Sequence, residues 1–443
     1  LSRGYGYAQE RGGAAPDPDV SLFRIGSGTK MFTALLALAA RDQGRLSLED
    51  TLGQRLPGLD GPLAAVQLRA LLSHLGGVPR EAPCAENKCD RTTAQLMPAI
   101  NNVSLLFPQY LQPAYSNFGF ALLGHAAAAA LGGNVDAVGA AMAQHVFGPL
   151  GLTSSGFNYS DASVLARLAN GTANRQLLDH LGWADPCGGM YMSGRDMTRF
   201  LQWLTLDAAT GVVHNLTRAQ WLHQPGFVFD TGDAGYGLAW ELQRDPVSQL
   251  WVYGKSGGIS SWSSQLLLVP SANLAVAVMA NDAAMSASDI AQAMLDATLP
   301  NVTALLRAQA AAALADRPVP PMPQRFVGTY QGQSIAAGGQ VAFDVALDAH
   351  GRLTAVGKFQ AFSFPVQLAW VSPTDAPALF VLRTPAGLPV DCLLLSELAW
   401  DYELVAIDDT SHTLWFPDML VGDVFEKEGG GGGGGGGGEN NRY

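Results

Sequence analysis

A chain of 443 residues with 48% hydrophobic and only 14% charged side chains can bury a large core, which excludes a disordered protein. Its net charge of -12, spread without acidic blocks, argues against nucleic acid as a partner, because that asks for a basic face. No apolar run is long enough to span a bilayer; the best candidate, Leu266 to Met279, is broken by Pro270, Ser271 and Asn273.

The chain opens on Leu1 with no signal peptide, and its natural start is expected upstream. Ser2 to Ala8 alternates small and aromatic residues and predicts a strand, and Gly12, Gly13, Pro16 and Pro18 predict a turn. Ser27 opens an apolar-periodic helix that ends near Gly44. Val66 to Leu75 predicts a short helix closed by Gly76-Gly77-Val78-Pro79. Helices follow over Ala121 to Leu131 and Asn134 to His145, the second stopped by Gly148 and Pro149. Asn170 to Trp183 reads as a loop, and Gly194 to Leu206 as a helix with Asp196 in its dipole-complementing first turn. Gly235 to Trp240, Leu250 to Tyr253, Ser261 to Leu268 and Leu274 to Met279 predict an antiparallel meander. Helix returns over Ser286 to Leu299, with a separate alanine-rich helix running to about Ala315.

Residues 317–323 are proline-rich and read as a stiff linker. The expected organisation is a domain over 1–316, that linker, a small all-β domain over 324–428 and a flexible glycine tail over 429–443. The small domain has short strands at Phe326 to Tyr330, Val341 to Leu347, Leu353 to Val356, Leu379 to Arg383 and Thr413 to Phe416. The fold class is therefore α+β followed by all-β.

Two features speak of compartment. Asn-x-Ser/Thr acceptors stand at Asn102, Asn158, Asn170, Asn215 and Asn301, where chance would give about one or two, so secretion or a lumenal location is expected. Cys84 and Cys89 flank a short polar loop whose spacing suits a disulfide in an oxidising compartment. Cys187 and Cys392 are free to pair or to stay apart. No His/Cys set has the spacing of a zinc site, and no metal or cofactor is expected.

Three stretches carry chemistry. Ser27-Gly28-Thr29-Lys30 puts a hydroxyl and an ammonium at i and i+3 on one helix face. A serine needs such a base to act as a nucleophile, and a lysine serves only when burial or a neighbouring cation lowers its pKa. The ordinary reading of a serine at a helix start is an N-cap. Tyr115-Ser116-Asn117 offers a phenol and a carboxamide two residues apart, and Lys255-Ser256-Gly257-Gly258 stands at the start of a predicted strand. Taken singly, each is commonplace. His74, His125, His145 and His180 lack the buried acid that a Ser-His-Asp arrangement needs, and His74 reads as a loop-stabilising residue.

In this order the three stretches resemble the serine β-lactamase and penicillin-binding-protein superfamily, in the branch of class C β-lactamases, D-alanyl-D-alanine carboxypeptidases and related esterases. Leu71-Leu72-Ser73-His74, Pro149-Leu150-Gly151-Leu152 and Gly188-Gly189-Met190 before Asp196 look like the same branch, and the likeness covers roughly Ser2 to Leu299. The resemblance implies a β-lactamase-like antiparallel sheet flanked by helices, with a lipocalin-like β domain appended. It implies that Ser27 is acylated and that Lys30 and Tyr115 share the proton transfers, with Tyr115 a low-pKa phenol between Lys30 and Lys255. Asn117, Lys255, Ser256 and Gly257 would bind substrate. The N–H groups of Ser27 and Gly258 would form the oxyanion hole, and Gly258 to Ser264 would be an edge strand open to an extended substrate.

Ser256 stands where class C enzymes carry threonine, a mild departure, and the family's first helix and strand are expected upstream of Leu1. The expectation is a serine hydrolase acting on an ester, amide or small peptide. The alternative is a catalytically silent binding or assembly protein with the same groove.

Overall fold

The computed structural model describes residues 2–9, 12–81, 83–84, 89–170, 180–206, 211–223, 226–282, 284–315, 320, 322–334, 339–359, 362–370, 378–383, 404–408, 410–415 and 424–428. They form two compact units, Leu1–Thr303 and Ala304–Tyr443. The division lies inside the helix Ala287–Ala315, ahead of the proline-rich stretch. Residues 317–319 and 321 of that stretch, and the tail 429–443, lie outside the described residues.

The first unit is built on a six-stranded antiparallel sheet in chain order: Phe227–Val228, Ala234–Tyr236, Glu241–Arg244, Trp251–Ile259, Trp262–Val269 and Leu274–Ala280. Alternation along the strands decides what covers each face. Val252, Leu267, Val269 and Val276 pack on Ala291, Leu295 and Leu299, which recur every four residues and so form one stripe of the helix Ala287–Ala315. Tyr253, Leu266 and Leu268 point the other way into the main core, where the helix Thr29–Asp42 is buried from Thr29 to Ala40. A helix apolar all round belongs at the centre. A separate three-stranded sheet joins Leu22–Arg24, Tyr191–Ser193 and Ser155–Gly156.

Several sequence expectations are corrected here. Ser2 to Ala8 forms no strand; Tyr5 and Tyr7 are exposed and have no ladder to join. The helix expected over 134–145 is shorter, Val138–Met142, and continues through a π-helical turn, Ala143–Phe147, into Gly148–Leu150. Gly148 and Pro149 do not stop the run where the sequence suggested; Gly151, at φ 66°, does. The two helices expected over 286–315 are one, running through Pro300. The hydroxyl of Thr303 lies 2.9 Å from the carbonyls of both Leu299 and Pro300 and steadies the turn that the proline weakens. Thr93–Asn101 and Asn215–His223 are helices that periodicity missed, although Thr92 and Gln95 form a capping box at the first.

Among the described residues, the second unit is a closed antiparallel barrel of eight strands in chain order. It runs from Gly328–Ser334 to Val424–Lys427, which pair with each other through Tyr330 and Lys427. Tyr330, Val341, Phe343, Val345, Phe380 and Phe425 form its core. The strands Phe362–Trp370, Leu404–Asp408 and Val424–Lys427 had not been expected. Among the described residues no helix is long and apolar enough to cross a membrane.

Candidate active site

Ser27 sits on a tight 3-10 turn, Gly26–Gly28, that runs directly into the helix Thr29–Asp42. Gly26 has φ 49°, a left-handed conformation that a side chain disfavours. Thr29 ties the turn down: its hydroxyl donates to the Gly26 carbonyl at 2.7 Å and accepts from the Met190 N–H at 3.2 Å. Ser27 is not the helix cap; that position belongs to Gly28. Its Oγ instead accepts from Lys30 Nζ at 3.1 Å and from the Tyr115 hydroxyl at 2.6 Å.

Lys30 is fully buried, and its amine has three acceptors: Ser27 Oγ, the Asn117 side-chain carbonyl at 2.7 Å and the Cys187 backbone carbonyl at 2.7 Å. Burial lowers its pKa from 10.5 to about 8.

The Tyr115-Ser116-Asn117 turn is held from three sides. Ser116 caps the helix Asn117–Ala130 by accepting from Gly119 N–H at 2.8 Å, and its own hydroxyl donates to the Pro79 carbonyl at 2.6 Å. Its N–H donates to His74 Nδ1 at 3.1 Å. Asn117 N–H donates to the Arg80 carbonyl at 2.8 Å. His74 therefore stabilises the loop as expected. Burial, with help from Lys30 and Lys255, keeps it neutral, and its ring lies tilted against that of Tyr115, 4.5 Å between centres.

Lys255, Ser256, Gly257 and Gly258 do not open a strand; they are the second half of Trp251–Ile259. The preceding strand stops pairing at Gly254, opposite Glu241, while the pairing on the other side runs on from Tyr253–Leu268 to Ile259–Trp262. Gly258 to Ser264 is a hairpin rather than one edge strand: Ile259 faces Trp262 across the turn at Ser260, where φ is 52°. Gly26 and Gly257 let this strand close on the Gly26–Gly28 turn. A side-chain carbon on Gly26 would lie 2.7 Å from the Gly258 nitrogen, and one on Gly257 would lie 2.0 Å from the Ile25 carbonyl oxygen. Both assigned oxyanion donors thus stand on segments that touch.

Two carboxylates that sequence reasoning missed complete the picture. Glu241 forms an ion pair with Lys255 Nζ, and its other oxygen accepts from the Ser256 N–H at 3.3 Å and the Ser256 hydroxyl at 3.1 Å. Glu81 accepts from Asn117 Nδ2 at 2.8 Å and pairs with Arg80 at 3.3 Å. The Cys187 carbonyl on Lys30 was also missed, since a backbone acceptor has no sequence signature.

The low-pKa phenol is a further correction. Lys30, Lys255 and Arg80 lie 4.8, 5.0 and 5.0 Å from the Tyr115 ring centre, and Lys255 does favour the phenolate. Burial outweighs it, however, and the phenol is pushed above its ordinary value of 10.0. Tyr115 is a proton donor here.

Cys84 and Cys89 form the expected disulfide. Cys187 is a free, buried thiol raised by burial, and Cys392 lies outside the described residues. Asn102, Asn158, Asn215 and Asn301 are exposed and Asn170 is half-buried. His125 is a core residue, its ring between the Val135 and Trp183 carbonyls at 2.8 and 2.9 Å.

Several known proteins are similar to this chain. Beta-lactamase-like protein 2 of Dictyostelium discoideum is 30% identical over 267 residues, covering 56% of this chain and 47% of that relative. The chain thus spans about half the length of the first curated relatives it matches. The D-alanyl-D-alanine-carboxypeptidase/endopeptidase AmpH of Escherichia coli is 25% identical over 304 residues, covering 62% of this chain and 75% of its own. The octameric penicillin-binding protein homologue from Pyrococcus abyssi shares the fold, with a TM-score of 0.58 at 17% identity, over 95% of this chain and 92% of that one. The profile of the Beta-lactamase family matches residues 1–299, and to that family this chain belongs.

Proposed function

We propose that the chain is a serine hydrolase that forms an acyl-enzyme at Ser27 on an ester, amide or small peptide. The observation that carries this reading is the coordination of Lys30. An ammonium spends its three protons on Ser27, Asn117 and Cys187. Loss of one leaves the two shorter bonds, at 2.7 Å, in place and turns the lone pair on the Ser27 hydroxyl. With its pKa lowered to about 8, that neutral amine is accessible near neutral pH.

Lys30 then takes the Ser27 proton as Oγ attacks the carbonyl carbon. The Ser27 and Gly258 N–H groups receive the oxyanion. Tyr115, held as a phenol, gives its proton to the leaving oxygen or nitrogen and recovers one from Lys30. Water then attacks the acyl-enzyme along the reverse path, restoring Ser27. The names of the relatives point to peptides and β-lactams; the motifs are shared with esterases, and the reading commits to acyl transfer at Ser27.

A fluorophosphonate probe is the test. It is expected to label the full chain and to leave Ser27→Ala unlabelled. If no Ser27-dependent adduct forms with this probe or with a panel of esters, peptides and lactams, the chain is a non-catalytic binding or assembly protein. We further propose passage through the secretory pathway, supported by four exposed acceptor asparagines and by the Cys84–Cys89 disulfide. Endoglycosidase treatment of the protein from its native source should shift its mobility; an unshifted band counts against secretion.

A further inference from the structure

A row of aromatic rings leads from the Ser27 site to the surface. Tyr115, whose hydroxyl lies 2.6 Å from Ser27 Oγ, has the His74 ring 4.5 Å from its own, centre to centre. His74 meets the Tyr236 ring edge-on at 5.6 Å, Tyr236 meets Phe229 at 6.2 Å, and Phe229 meets Phe227 at 5.3 Å. His74 is the buried link between two half-buried phenols, and Phe229, beyond them, is 40% exposed. The rings that can ionise are held uncharged. Burial is the main cause in each, lowering His74 and raising Tyr115 and Tyr236. Glu241 and Tyr115 push the Tyr236 phenol up further, so it faces the same space as they do. We propose that this row is the leaving-group subsite of the Ser27 reaction: a wall that takes an apolar alkyl or aryl group on the alcohol or amine half of the substrate.

Strand register builds the wall. Phe227 pairs with Tyr236, and Tyr236 with Glu241 in the next strand, so the three side chains share one face of the sheet. Phe229, two residues beyond Phe227, returns to that face, and its N–H donates to the carbonyl of the small Ala234 opposite it at 2.9 Å. Val228, between them, points to the other face.

A lone exposed phenylalanine is ordinary. This one extends a run of touching rings that ends at Tyr115, the phenol that gives the leaving atom its proton, and that end fixes the occupant. The group bonded to the leaving atom is the part of the substrate that lies against Tyr115, and an apolar one gains by continuing along the rings. The competing account is packing alone, with the rings pinning the hairpin at Gly226, where a side-chain carbon would lie 3.2 Å from Ser73 Cβ. Packing accounts for the half-buried Phe227 and Tyr236. It does not call for Phe229, so the test is made there.

The proposal rests on the acyl-transfer reading, and the test separates the two. Ser27-dependent hydrolysis of ethyl acetate, octyl acetate and ethyl octanoate by the full chain is compared in wild type, Phe229→Ser and Val228→Ser. Ethanol and octanol are alcohols of similar acidity, so the octyl-to-ethyl ratio of kcat/KM for the acetates reports contacts rather than leaving ability. That ratio is expected to fall at least about fivefold in Phe229→Ser, whatever happens to ethyl acetate alone, and to stay within about twofold of wild type in Val228→Ser. A smaller fall in Phe229→Ser, a matching fall in Val228→Ser, or a fall at least as large for ethyl octanoate, which carries the chain on its acyl half, overturns the proposal.

If none of the three esters is turned over through Ser27, the fluorophosphonate label decides the acyl-transfer reading and the wall is read by binding. Calorimetry with N-octylacetamide then compares Ser27→Ala with the double variant Ser27→Ala, Phe229→Ser. Binding at least about fivefold weaker in the double variant supports the wall. A smaller change, or no binding to either, overturns it.

Discussion

Lys30→Met is expected to lower kcat/KM for a Ser27-dependent ester by about 10³-fold, the range of a lost general base. The pH profile should change with it. Burial lowers the amine from 10.5 to about 8, so its proton leaves on the alkaline side of neutrality. About one molecule in ten then holds the neutral amine at pH 7, against fewer than about one in a thousand for an unperturbed lysine. Activity of the wild type should therefore rise through pH of about 8 and level off above it. The Lys30→Met profile should lack that rise.

Linkage gives the same group a second signature. Between about 8 and 10.5 the unfolded chain holds the Lys30 proton and the folded chain does not, so this group's contribution to stability increases with pH across that window. Below it both states are protonated, and the burial cost is constant. Tyr115→Phe is the companion variant. If Lys30→Met stays within threefold of wild type while Tyr115→Phe loses the pH dependence, the base is the phenol and the assignment made here is wrong.

What could be read from sequence divides along physical lines. Ser27 and Lys30 were legible because an i, i+3 relation is local, and the structure keeps it at 3.1 Å. Tyr115, Asn117 and Lys255 were legible only through their order in a known family; the fold brings Tyr115 to the Ser27 hydroxyl, Asn117 to the Lys30 amine and Lys255 to 5.0 Å from the Tyr115 ring centre. Glu241 was not legible. Its approach to Lys255 depends on a strand pairing that a short polar run, Glu241–Arg244, does not announce. The charge state of Tyr115 was misjudged for a related reason: the neighbouring cations are countable in the sequence, whereas the burial that outweighs them is a property of the packed core. The barrel strand Phe362–Trp370 was missed because Pro365 lies within it, and proline argues against a strand until its pairing is known.

Gly257→Ala should do the most damage for the fewest atoms. Its new methyl carbon would sit 2.0 Å from the Ile25 carbonyl oxygen, 2.5 Å from Ser264 Oγ and 2.9 Å from the Gly28 nitrogen. Two of those three are backbone atoms of the nucleophile turn, which Ser264 also ties down through the Ile25 carbonyl at 2.7 Å, so no side-chain rotation relieves the clash. The strand must move away from Ser27, taking the Gly258 N–H with it. A misplaced oxyanion donor costs about 10²- to 10³-fold in kcat, and overpacking of this kind costs about 1–3 kcal/mol of stability. Gly258→Ala is the control. A side-chain carbon there meets nothing within 4 Å and leaves the backbone N–H in place, so activity should stay within a few-fold of wild type. Steady-state kinetics and urea midpoints for the two variants decide the matter. If Gly257→Ala folds and turns over as Gly258→Ala does, the strand does not close on the Ser27 turn, and the oxyanion assignment falls with it.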